Sequence, residues 1–162
     1  MVTTTGLRVD ALLRENLARI RAWGADDFGN PLVATVVGED GAGGTPLRCC
    51  LREARVGERV ALIAYQPATV GGPYAEVGPV FIHAEDCSGY ATPDRYPDDF
   101  RQRHQVLRAY GRDSAIVDAA IAENGDEAEA LCGAFLARPD VAYIHSRNVL
   151  YGCYMFTVRR PA

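Results

Sequence analysis

Two runs limit what this chain can fold into more than any other feature. "RVALIAYQ", Arg59 to Gln66, and "PVFIH", Pro79 to His83, are apolar at odd and even positions alike. Neighbouring strand residues point to opposite faces, so a strand apolar on both faces needs cover on both sides and belongs in the middle of a sheet. In the second run Val80 and Ile82 are expected on one face, with Phe81 and His83 on the other. His83 then lies where a buried strand meets a loop, a place where a scaffold can hold a polar group rigidly.

The remaining pattern surrounds these runs with short elements. Leu12, Leu13, Leu17 and Ile20 recur at helical spacing and predict an amphipathic helix from Val9 to Trp23. "GADDFGNP" breaks it, and Leu32 to Val37 reads as a strand. "LRCCL" alternates as a strand would, with Leu47, Cys49 and Leu51 on one face and Arg48 and Cys50 on the other. Glu85 to Phe100 has no period and reads as one long loop. "HQVLRAY" and "SAIVDAAI" read as strands. Asn124 and Glu127 form a capping box ahead of a helical stripe of Ala128, Leu131, Cys132 and Phe135. "VAYIHSRN" and "CYMFTVRR" form a hairpin. Short connections favour antiparallel pairing. The expected class is α+β: a mainly antiparallel sheet with about two packed helices, in a single domain spanning residues 1–162.

Composition narrows the function classes. The chain has 162 residues and a net charge of −4, which argues against a nucleic-acid binder, whose affinity comes largely from a basic surface. No apolar run approaches the roughly 18 residues that span a membrane. "MVTTTGLRVDALLREN" does not read as a signal peptide, and a cytoplasmic location is expected. The five cysteines then default to free thiols. All 17 basic residues are arginine, which removes Schiff-base lysines and lysine-dependent phosphate loops.

Dinucleotide-binding, phosphate-loop, nucleophile-elbow and HExxH motifs are absent. His83 and Cys87 have H-x3-C spacing, which a metal site with Cys50, Cys153, His145 or Glu76 could use. Without any C-x2-C pair, no bound metal and no other cofactor is expected, and Cys87 is not expected to partner His83. A thiol nucleophile would need a base: His83 for Cys50 or Cys87, or His145 for Cys153. His145, Arg147 and Asn148 cluster before the hairpin turn, Arg48 and Arg52 flank Cys50, and arginine forks suit carboxylates or phosphates.

In order and spacing, "PLRCCL", "GE", "PYAEVGPVFIH", "YPDDFRQR", "VLRAY", "VAYIHSRN" and "GCYMFTV" resemble the bacterial family called domain of unknown function 1203. The blocks run from Pro46 to Val158 and leave out an N-terminal helix and strand at residues 7–45. The resemblance implies a bacterial, cytoplasmic protein and transfers no activity. Reactive side chains that fall on its blocks include Arg48, Cys50, Tyr74, His83, Arg101, Arg103, Arg108, Tyr110, His145, Asn148 and Cys153.

The expectation drawn from these readings is a protein that binds a small anionic molecule in a polar pocket and could also catalyse. His83 and His145 would offer proton transfer, and Arg48, Arg108, Asn148, Tyr110 and Cys153 would hold the ligand. A non-catalytic protein-interaction module and a metal-dependent enzyme with His/Cys ligands stand as alternatives. Oligomeric state stays open.

Overall fold

The computed structural model describes residues 6–41, 43–67 and 69–162. Its ten strands form two five-stranded sheets, antiparallel except at one pair. The expected α+β class and the two helices are present; the division into two sheets was not legible in the pattern.

The first sheet has the order β1-β10-β9-β7-β8, with β1 at Arg8–Asp10, β7 at Gln105–Tyr110, β8 at Ile116–Ala122, β9 at Tyr143–Asn148 and β10 at Tyr154–Arg159. Helix α2, Gly125–Leu136, packs on it. The start of α2 follows the capping rule: Asn124 Oδ1 accepts from the N–H of Glu127 at 3.0 Å. Gly125 is required there, because a Cβ would stand 2.8 Å from the Cα of Arg101. Leu107, Ile144, Phe156, Val158 and Cys132 fill the core between helix and sheet. Phe156 meets Tyr96 edge-on, with ring centroids 5.4 Å apart.

The second sheet has the order β2-β5-β6-β3-β4: β2 at Thr35–Val36, β3 at Pro46–Leu47, β4 at Arg52–Glu53, β5 at Arg59–Tyr65 and β6 at Gly78–His83. The strand β6 is central, antiparallel to β5 and parallel to β3. Helix α1, Arg14–Trp23, covers one face, where Leu17 and Ile20 pack with Ile63, Val80 and Ile82. The other face, expected from its apolar residues to be covered as well, is not a second core. Leu62 and Phe81, paired in register, face a groove between the two sheets. At the junction, Tyr65 and Tyr154 have ring centroids 5.5 Å apart, and Arg48 Nε donates to the carbonyl of Tyr154 at 2.8 Å.

Three sequence expectations need correction. The helix expected from Val9 begins at Arg14. Residues 8–10 instead pair with β10, whose edge would otherwise keep unpaired backbone groups, and Val9 enters the first core. The strand expected over Leu32 to Val37 is reduced to Thr35–Val36. "LRCCL" is not a continuous strand but a tight reversal between β3 and β4.

Candidate functional site

That reversal builds the site. The N–H of Leu51 donates to the carbonyl of Leu47 at 3.0 Å, and Leu51 takes the left-handed backbone (φ 56°). This conformation is unfavourable for a branched-chain residue, and burial of the Leu51 side chain holds it. The turn gathers Cys49 and Cys50 beside one histidine, where a strand would send them to opposite faces. Parallel pairing of β3 with β6 supplies that histidine. Arg48 N–H donates to Phe81 O at 2.9 Å, and His83 N–H donates to Cys49 Sγ at 3.3 Å. The loop after β6 returns Cys87 to the same place.

The sulfurs of Cys49, Cys50 and Cys87 and a ring nitrogen of His83 all lie within 4.8 Å of one another. Cys49 Sγ and Cys50 Sγ are 3.9 Å apart. His83 Nδ1 stands 3.5 Å from Cys49 Sγ and 3.8 Å from Cys50 Sγ. Cys49 is buried; Cys50 and Cys87 are half-buried and reach a cleft of ≈ 300 Å³ under the loop from Ser88 to Thr92. Hydrogen bonds from Cys49 and Cys50 pull the Cys87 thiol down, while the same network pushes Cys50 up.

The other side of the imidazole faces a carboxylate. Glu58 leaves the tight turn before β5 and bonds His83 Nε2. Arg52 clamps Glu58 with two bonds of 2.7 Å each, and the N–H of Arg55 adds one at 2.9 Å. The Arg52 guanidinium, with these partners, holds the Glu58 carboxyl well below the usual carboxylate range. An ionised Glu58 is placed to accept a hydrogen bond from Nε2–H, and in that tautomer the Nδ1 lone pair faces the sulfurs.

Arg48, from the same turn, serves the opposite side. It is 3% exposed, and its Nε and Nη1 donate only to the carbonyls of Tyr154 and Pro46. It makes no ion pair among the described residues. Burial lowers its pKa to about 10, which still leaves it charged at neutral pH. It lines the inter-sheet groove of ≈ 1070 Å³, whose floor is Leu62, Pro79 and Phe81 and whose rim includes Asn148, Leu150, Tyr151 and Cys153. The neighbouring Glu53 and Arg103 pair with each other, and Asp99 accepts from the backbone N–H of Glu53.

The structure thus divides the expected site residues. Arg48, Asn148 and Cys153 share the groove. His83 lies in the thiol cluster, and Cys87, expected to stand apart from it, is its neighbour. His145 joins neither. It is fully buried in the first sheet, with ring centroids 4.8 Å from Tyr110 and 5.0 Å from Tyr154, and its Nε2 lies 2.8 Å from Thr69 Oγ1. Burial, then the nearby Arg147, Arg159 and Arg108, pull its pKa down to about 3. The imidazole is enclosed by aromatic rings in the interior of the first sheet, apart from both the groove and the thiol cluster. Arg108 pairs with Glu76 at 3.3 Å, and Tyr110 is buried against Tyr143, so neither reaches the groove. Cys49 and Glu58 were not singled out from the sequence as site residues, and Arg52, noted there beside Cys50 as an anion-holding candidate, instead clamps Glu58. The one available signal was the acidic residue of the "RVGE" turn, directly before the strand that pairs with His83.

Residues 44–160 match the family described as Protein of unknown function (DUF1203). The chain belongs to this family. The matched segment contains Arg48, Cys49, Cys50, Glu58, His83 and Cys87, whereas β1, α1 and β2 lie outside it. No curated protein and no solved structure matches the chain. No helix among the described residues is long and apolar enough to cross a membrane.

Proposed function

We propose that the protein is a cytoplasmic binding protein for a small amphiphilic anion, held in the groove between the two sheets. The observation that carries this reading is Arg48: a buried guanidinium with no carboxylate partner among the described residues, lining a large cavity with an apolar floor. Burying a charge without an opposite charge is costly, and a bound carboxylate or phosphate would offset that cost through charge-assisted bonds. Leu62, Pro79 and Phe81 would take the apolar body of the ligand, and Asn148 would add a polar contact.

Thermal unfolding in the presence of octanoate, phenylacetate or phenyl phosphate tests the reading. At least one probe should raise the melting temperature, and Arg48→Gln should weaken its binding by roughly 10- to 100-fold, the loss of a charged hydrogen bond. Because Arg48 also ties the sheets together, Leu62→Glu provides a second variant on the exposed floor. It should fold normally and repel the same probe. Equal binding by wild type and Arg48→Gln, or no stabilisation by any probe, would reject the reading.

A further inference from the structure

We infer that Cys49, Cys50, Cys87 and His83 Nδ1 are the four ligands of a single tetrahedral zinc ion, which pins the turn after β3 to the loop after β6. The spacing of the donors is the first argument. Bond lengths of about 2.3 Å to sulfur and 2.0–2.1 Å to nitrogen at tetrahedral angles place two sulfurs about 3.8 Å apart, and a sulfur and a nitrogen about 3.5 Å apart. The corresponding distances here are 3.9 Å for Cys49–Cys50, and 3.5 and 3.8 Å from these sulfurs to His83 Nδ1. Cys87 lies within the same 4.8 Å limit.

The surroundings of the histidine are the second argument. A ligating imidazole commonly donates its other N–H to a carboxylate, which sets the tautomer and raises the basicity of the ligating nitrogen. Glu58 occupies that position on Nε2 and is itself clamped by Arg52. The His83 N–H to Cys49 Sγ bond stabilises a thiolate in the same way. Charge is also met locally: three thiolates and one zinc dication leave one net negative charge and the ionised Glu58 adds a second, against Arg52, 3.3 Å from the imidazole, and Arg21, bonded to the carbonyl of His83.

Number and type of donor separate a metal from a thiol nucleophile. Nucleophilic catalysis uses one thiol and its base. Three sulfurs around one nitrogen would repel one another as thiolates unless a cation lay between them. A set of three sulfurs and one nitrogen at tetrahedral spacing favours zinc over oxygen-seeking magnesium or calcium. Each ligating thiol gives up its proton to solvent on binding. With four protein donors no coordination position is left for water, so the ion is structural. Regular strand pairing is sparse here: β3 and β4 are two residues long, and one β-bridge register pair, Leu47–Phe81, joins β3 to β6.

The untagged full chain, expressed with zinc in the medium, should contain one equivalent of zinc by elemental analysis. Cys87→Ser and His83→Gln should lose it, and Cys132→Ala, in the other core, should retain it. Cobalt added to metal-stripped wild type should give the strong visible bands of a tetrahedral ion together with sulfur-to-cobalt charge transfer. That readout holds even if the ligand variants fail to fold. Glu58→Gln should weaken cobalt affinity roughly 10- to 100-fold without abolishing the spectrum. Absence of zinc in the wild type together with no tetrahedral cobalt spectrum would overturn the inference. So would selective alkylation of one thiol in metal-loaded protein as fast as in stripped protein, which would point to a free nucleophile.

Discussion

The two histidines carried by the sheets, His83 and His145, show how differently one residue type is used in the two halves of the molecule. His145 lies mid-strand in β9, paired on both sides by strands of six residues, and its ring is enclosed by Tyr110, Tyr143 and Tyr154. His83 ends β6, with a carboxylate on one nitrogen and sulfur on the other. The first sheet has long ladders and a continuous core. The second joins one long ladder, β5–β6, to three strands of two residues each, and its β3–β4 turn carries the thiol cluster. Regular pairing satisfies the backbone of the first sheet locally and encloses its polar side chains in the core. The irregular half leaves donors whose partners come from distant parts of the chain.

The largest effect that could break this comparison is on stability. Ile82, fully buried under α1, lies on the core face of the same strand whose Phe81 faces the groove. Ile82→Ala should destabilise by about 2–5 kcal/mol in urea unfolding. A loss well below about 1 kcal/mol would mean that the second sheet is loosely packed rather than built on a true core.

Next is the pH dependence of His145. Its folded pKa, about 3, is below its ordinary value of 6.5, so between these values the unfolded chain binds more protons than the folded one. Stability from this group is complete above pH 6.5 and declines as pH falls toward 3, by a few kcal/mol in all. His145→Gln should flatten the slope of unfolding free energy over that window, measured as the difference from wild type. Unchanged slopes would show that the imidazole is solvated and that the two histidines are not so different.

The smallest stability effect belongs to the groove floor. Leu62 is 51% exposed although it shares β5 with the buried Ile63. Leu62→Ser should change stability by no more than about 0.5 kcal/mol, as at an ordinary surface site. A loss comparable to that of Ile82→Ala would mean that the groove is closed in solution and cannot admit a ligand.

Where residues interact with near neighbours, the pattern was readable. The alternation of "PVFIH" correctly separated Val80 and Ile82 from Phe81 and His83, and the Asn124 capping box and the β9–β10 hairpin lie where short-range rules put them. The helical spacing of Val9, Leu12 and Leu17 misled because it runs across a boundary. Val9 packs in the first core and Leu12 in the second, and Leu13 at the start of α1 has no capping side chain to announce the helix. "LRCCL" misled in a similar way. Alternation describes an extended chain, whereas these residues turn back, and the packing of Leu51 against residues distant in sequence selects the turn.

The amino-acid sequence by itself therefore determined the α+β class, which residues of β6 share a face and the family to which the chain belongs. Alternation, capping and block order are properties of neighbouring residues. Only the tertiary structure decided that Cys49, Cys50, Glu58, His83 and Cys87 meet, that Arg48 faces a groove and that His145 is sealed in a core. Those outcomes depend on which strand pairs with which and in what register. Register is set by the burial of whole faces, so no short window of sequence contains it.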